Sequence, residues 1–335
     1  IDNAIKDAMK SKRFPGAVYW LETEGHAYFR AYGYRSVLPS KENISEDTIF
    51  DAASLTKVIA TTPAIMLLVE KGAIDLDAPV KSYIREFTGS GRERVTVKQL
   101  LTHTSGLAAG FDPKKTWSGY DEAIRMACQE HPKQPIGTTI RYSDINFILL
   151  GEIVRRVSKK SLDDFVQTEI YKPLRMADTG YLPSKDKMYR IAPTEGTLRG
   201  KAHDPTVQKM GGVAGHAGVF TTGPDLARFA RMLINEGELD GVRFLKRETV
   251  RLMTQTQTPS TLTYKRGLGW DINTGYSRPR GALFPVGSYG HTGFTGTTLW
   301  VDPSSKSFWI LLTSRLHPSG AGNIMLLQRE LGTLS

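Results

Sequence analysis

At 335 residues the chain exceeds what one simple hydrophobic core fills, so one large composite domain or two lobes is expected. Hydrophobic residues at 40% and charged residues at 23% fit a globular chain, and no uninterrupted apolar run approaches the roughly 18 residues of a membrane-spanning helix. The net charge of +10 (44 Lys+Arg, 34 Asp+Glu) is scattered over Lys10, Lys12 and Arg13, over Lys114 and Lys115, and over Arg155, Arg156, Lys159 and Lys160. Without a long block or interleaved aromatics it reads as a solvated basic surface, not a nucleic-acid platform, with a weak pull on anionic substrates.

Ile1 opens without a basic segment followed by an apolar one, so no secretory leader is expected within this numbering, and the compartment stays open. Residues 1–13 read as a helix. Residues 16–22 and 26–34 are rich in aromatic and β-branched residues, and Glu24-Gly25 between them predicts a hairpin. Asp51 to Gly72 reads as one long helix, apolar nearly all round and therefore buried, with an irregularity at Pro63. Helical patterns follow at 96–103, 119–130, 144–158 and 161–170. Cys128, the single cysteine, lies in one of them and is expected to be a packing residue, not a nucleophile. A glycine-rich stretch at 210–218 leads into a helix at 223–236. Strand-like segments come next at 266–272, 286–292, 296–302 and 307–314, and a helix near 320–332 ends the chain.

Strands at both ends and helices in the middle predict an α+β architecture. One antiparallel sheet would be built from both termini and flanked by helices, with an all-helical lobe inserted. The expected division is 1–80 with 200–335 for the sheet lobe and 81–199 for the helical lobe, with the site in the cleft between them.

Three constellations carry chemistry. In Ser54-Leu55-Thr56-Lys57 the serine and lysine share a helix face. A hydroxyl needs a base to become a nucleophile, and a lysine one turn away serves if its pKa is lowered. In Tyr142-Ser143-Asp144 the phenol is a second acid–base candidate, placed at a strand end, while Asp144 is read as the cap of the following helix. In Gly290-His291-Thr292-Gly293-Phe294-Thr295-Gly296, at a strand edge, Gly293 and Gly296 would let a substrate approach closely. The Phe294 N–H would pair with that of Ser54 as an oxyanion hole.

In this order the three motifs resemble those of the penicillin-recognising serine hydrolases: class C β-lactamases, D-alanyl-D-alanine carboxypeptidases and the related esterases and amidases. Phe50 to Lys57, Leu100-Leu101-Thr102-His103-Thr104-Ser105-Gly106-Leu107 and Thr221 to Phe229 are similar to further segments of that family. The resemblance implies a β-lactamase/transpeptidase-like fold, attack by Ser54, proton transfer by Lys57 and Tyr142, and an acyl-enzyme released by water. It implies substrate contacts from Asp144, His291, Thr292, Gly293 and Phe294, and no metal or organic cofactor.

Two positions depart from the β-lactamase pattern. Asp144 stands where an asparagine is usual, so a donor is lost. His291 stands where a lysine is usual, so a fixed positive charge is expected to be lost. Both favour an esterase, or an amidase acting on peptidoglycan fragments. A β-lactamase or D-alanyl-D-alanine carboxypeptidase, and a slowly deacylating penicillin-binding or peptidoglycan-sensing module, are the alternatives. Partners are thus small esters, amides or β-lactams, with no nucleic acid and no integral membrane segment. The stretches Ala202 to Gly218 and Arg315 to Pro318 resemble muropeptide amidases more specifically. Their His203, His216 and His317 read first as structural loop histidines, and His203-Asp204 with His216 lack a convincing third metal ligand.

Overall fold

A computed structural model describes residues 1–320 and 322–335. An eight-stranded antiparallel sheet joins the two ends of the chain. Its order is β3 (Glu42–Asn43), β2 (His26–Ser36), β1 (Gly16–Thr23), β13 (Ser307–Thr313), β12 (Thr298–Asp302), β11 (Tyr289–Thr292), β10 (Asp271–Asn273) and β9 (Lys265–Arg266). The predicted hairpin forms β1 and β2, and both Glu24 and Gly25 at its turn have positive φ. β1 then pairs with β13 from Ala17 opposite Thr313 to Glu22 opposite Phe308, which closes N- and C-terminal halves into one sheet.

Period-2 alternation sends successive side chains of these central strands to opposite faces. Ala17, Tyr19, Trp309 and Leu311 pack under α1 (Asp2–Lys10) and α10 (Met325–Leu334). Val18, Trp20, Ile310 and Leu312 pack against α8 (Gly223–Ile234) and join a core that runs unbroken into the helical region. There α5 (Asp144–Ser158) is buried from Ile145 to Val154 and touches α2 (Thr62–Glu70), α3 (Val97–Leu101), α4 (Tyr120–Gln129) and α6 (Leu162–Val166). Short strands β4 (Phe50–Asp51), β5 (Gly180–Tyr181) and β6 (Val219–Thr221) form a second sheet beside the serine, and β7 (Glu238–Leu239) with β8 (Val242–Arg243) form a small ribbon. The fold is the expected α+β arrangement of an antiparallel sheet with flanking helices.

Several elements differ from expectation, each for a local reason. The stretch 51–72 is not one regular helix. Asp51 belongs to β4, Ala53 turns at φ 46°, a π-type turn covers Lys57–Thr61, and regular helix begins only at Thr62. The irregularity expected at Pro63 is present as the π-type turn that ends two residues before it, and Gly72 supplies the left-handed residue beyond the end of α2. The strand expected at 266–272 is split into β9 and β10 by a tight turn in which the Gly267 N–H donates to Trp270 O. The helix at 161–170 ends regular geometry at Val166 and continues to Tyr171 as a π-type turn. Two helices fall outside the expected set, α7 (Pro205–Lys209), which opens on an Asp204 cap and Pro205, and the amphipathic α9 (Arg247–Thr254).

Among the described residues one segment, Ala53–Glu70, is long and apolar enough to cross a membrane, but it is the central core helix and 83% of it is buried. Cys128 is buried and unpaired, and burial pushes its thiol up to about 11, in keeping with a packing role.

Gly290 shows how tightly the β11 region of the sheet is packed: a Cβ there would lie 2.2 Å from the Trp300 ring and 2.4 Å from Leu299 O. Gly290→Ala is expected to cost about 1–3 kcal/mol, read as a lowered denaturant midpoint; an unchanged midpoint would contradict this packing.

Candidate active site

The serine stands on a strained turn. Ala53, before it, holds a left-handed φ that a non-glycine residue adopts only when its surroundings enforce it. Here the Asp51 carboxylate accepts from the Ala53 N–H (2.9 Å) and the His203 N–H (2.7 Å). Thr295 and Thr297 donate to the carbonyls of Asp51 and Ala52. Asp51 is fully buried, and that burial lifts its carboxyl to about 6 against the pull of the two amides. Gly293 completes the junction: a Cβ would meet Thr297 Oγ1 at 2.1 Å and Ala52 O at 2.5 Å. Its missing side chain lets the chain after β11 close on the turn that carries Ser54.

Lys57 has no exposed surface. Its Nζ donates to Ser54 Oγ (3.0 Å) and His216 O (2.9 Å), and lies 2.8 Å from Asp144 Oδ1. The His216 carbonyl is set by close chain packing, since a Cβ on neighbouring Gly215 would strike Phe147 O at 2.0 Å. Burial, the largest influence, pushes the lysine pKa down, yet the Asp144 carboxylate and the Tyr142 oxygen outweigh it and raise the pKa above 10.5. The expected lowering is thus reversed, and the resting lysine is an ammonium.

Asp144 is free for this because it does not cap its helix. Ser143 does, its Oγ accepting from the Asn146 N–H, while Asp144 is the first helical residue. Tyr142 precedes it in extended chain outside any strand. Its ring centroid lies 4.8 Å from Lys57 Nζ and 4.5 Å from that of His103. His103 is a residue the motif reading left without a role. It is fully buried at φ 58°, its Nδ1 accepts from the Ser143 N–H, and its carbonyl accepts from the Arg141 N–H, so it brackets Tyr142 on both sides.

Ser54, Tyr142, His291, Thr292, Gly293 and Phe294 line one cavity of about 510 Å³. Asp144 lies behind it against Lys57. His291 Nδ1 meets Thr292 O at 2.8 Å, and burial with the nearby Arg266 and Lys57 cations holds the ring well below 6.5, hence neutral. His291 thus supplies no fixed positive charge, as expected, but two residues the motifs did not reveal bring cations to the cavity. Arg266, 1% exposed, and Arg315 line the same cavity. Arg315 lies 4.4 Å from the exposed Phe294 ring and donates to Phe294 O.

The remaining histidines divide. His317 is structural, bonded to Val37 N–H and Gly196 O. His203 sits at the rim, stacked beside Phe294 and 2.7 Å from Glu195. His216 is buried, its Nε2 3.2 Å from Asp204 Oδ1. Burial raises the Asp204 carboxyl, but His216, the Val207 N–H and Lys57 together leave it lowered. Asp144, Asp204 and His216 bring ligand-type atoms within 4.8 Å of one another, so a third candidate for a metal set does exist. The Lys57 ammonium already stands against Asp144, and a metal ion there would face that fixed charge at contact distance.

The fold and this site define a serine hydrolase. A family model described as Beta-lactamase matches residues 1–331, and the chain belongs to that family. An N-acetylmuramyl-L-alanine amidase of Bacillus subtilis (strain 168) is 32% identical over 91% of this chain and 78% of its own length. Among solved structures, a class C beta lactamase from Rhodobacter sphaeroides superposes with a TM-score of 0.79 at 20% identity, covering 99% of this chain and 97% of its own. A family VIII carboxylesterase superposes at 0.77 and 20%, covering 99% and 95%. These structural likenesses share the fold.

His103 and His291 are both held well below 6.5 when folded. As pH falls below 6.5 the unfolded chain takes up protons that the folded chain refuses, so stability present above that pH is lost below it. Asp51, raised from 3.8 to about 6, opposes this only beneath that value. The Tm is expected to fall between about pH 7.5 and about pH 6, with a shallower slope in the His103→Gln/His291→Gln variant. Equal slopes would remove these histidines from the acid response.

Proposed function

We propose that this chain hydrolyses amide or ester bonds through an acyl-enzyme on Ser54. The observation that carries the reading is the buried Lys57 Nζ, 3.0 Å from Ser54 Oγ and paired with Asp144. Because this lysine is a donor at rest, it does not take the serine proton, which goes to Tyr142 acting as general base beside the ammonium. Ser54 Oγ attacks the substrate carbonyl carbon, and the oxyanion accepts from the N–H groups of Ser54 and Phe294. The Phe294 amide, which has no acceptor among the described residues, supports this assignment. Tyr142 then returns the proton to the departing amine or alkoxide. Water attacks the acyl-enzyme, its proton passes to Tyr142, and the acid leaves as the serine regains a proton.

For the substrate we favour an amide in a peptidoglycan fragment, with small esters as surrogates. The likeness to the Bacillus subtilis amidase supports it, as does an acidic Asp144 where a β-lactamase carries an amide donor. Cationic Arg266 and Arg315 in the cavity keep carboxylate-bearing β-lactams as the second reading.

Ser54→Ala is expected to abolish turnover of p-nitrophenyl esters and muramyl amides, and Tyr142→Phe to lower kcat about 10²-fold or more. Near-normal rates in Tyr142→Phe would exclude the phenol. Rapid nitrocefin hydrolysis with inert esters and amides would reverse the substrate ranking, and a lasting acyl adduct by intact mass would favour a sensor. Asp144→Asn removes the strongest support for the ammonium, so the lysine-governed limb of the kcat/KM–pH profile is expected to move to lower pH. An unmoved profile would separate Asp144 from lysine ionisation.

A further inference from the structure

The catalytic cavity does not end at the cleft. Two further cavities, of about 330 and 480 Å³, adjoin it at the start of α10, where Met325 lines all three and Asn323 lines the first two. The smaller is lined by Lys12, Arg13 and Arg278, the larger by Arg278, Arg280 and Arg329. With Arg266 and Arg315 in the cleft, seven cations line these three neighbouring cavities, and Asp271, the one carboxylate among the described lining residues, pairs with Arg266 at 3.7 Å.

The other six cations have no carboxylate partner among the described residues, whereas many arginines elsewhere do, as Arg156 with Glu86 and Glu152, Arg190 with Asp178, and Arg251 with Glu236. Along the path, Arg278 donates to the Met325 sulfur, Arg280 to the Asn273 amide oxygen at 3.4 Å, and Arg315 to the carbonyls of Phe294 and Gly322. The Arg280 Nε is buried without any partner. These six cations border the cavities without a carboxylate partner, so an anion that enters is attracted to them.

We infer that this cationic trough binds the carboxylates of an acidic peptide arm carried by the substrate, while the bond that is cut lies at Ser54; the inference rests on the acyl-enzyme reading for its direction. Spaced single charges along an extended path suit a peptide with carboxylates several residues apart. The exposed Met325 and Leu326 between the cavities offer apolar contact for the intervening backbone and side chains.

The test uses an N-acetylmuramyl tripeptide with free carboxylates, the same compound with carboxamides in their place, and neutral p-nitrophenyl acetate. In the Lys12→Gln/Arg278→Gln/Arg329→Gln variant, KM for the acidic tripeptide is expected to rise about tenfold with kcat held, and its dependence on salt to flatten. The amidated compound and the neutral ester should be unaffected. Calorimetry on Ser54→Ala reads the same preference without turnover, so it decides the trough even if catalysis lies elsewhere; ester turnover surviving in Ser54→Ala would defeat the acyl-enzyme reading alone. Equal affinity for the acidic and amidated tripeptides overturns the proposal. So does polyphosphate binding more tightly than the tripeptide and being lost in the triple variant, which would assign the trough to phosphate polymers.

Discussion

A positive charge with no access to water organises this protein. Burying an ammonium costs several kcal/mol unless a counter-charge and further acceptors meet it. Lys57 has both in Asp144 and the His216 carbonyl, and its third contact is the serine oxygen. Those partners come from three distant stretches of chain, so the fold must bring α5, the segment before β6 and the turn after β4 to one point. The continuous core around α2 and α5, and the two short sheets, are read most simply as the scaffold that holds them there.

Around that charge the site is electrically divided. Behind the serine lie Asp144 and Asp204, half-exposed carboxylates that favour the ammonium. In front lie the neutral His291 and the cations Arg266 and Arg315. The carboxylates that hold Lys57 charged stand away from the cavity, where Arg266, paired with Asp271, and Arg315 leave an excess of positive charge. This division explains how a histidine stands in the third motif without making the cleft neutral.

Much of this was legible in the chain. The hairpin at 16–34, the buried apolar run after Ser54 and the terminal strands have strong local periodicity, and they formed close to where they were expected. The three motifs did meet at one cavity. What escaped was whatever depends on contacts across the fold. Asp144 and Ser143 exchange capping roles because a lysine from another element claims the carboxylate, which local propensity cannot register. The direction of the Lys57 pKa followed the same partner. His103 looked like an ordinary helix-end residue until its left-handed backbone brought its ring under Tyr142. Arg266 ends the short strand β9, and an isolated arginine in a strand-like pattern gives no hint that it will be buried.

The acceptor at position 216 is main chain, and this separates two kinds of inherited change. A codon change at 216 alters what Asp204 faces but leaves the oxygen that receives the lysine. A change at 215, or at Gly151, where a Cβ would lie 3.3 Å from the Gly215 backbone, would displace that oxygen and with it the ammonium it holds. Drift in this lineage should therefore be freer at the polar histidine than at two featureless glycines behind it.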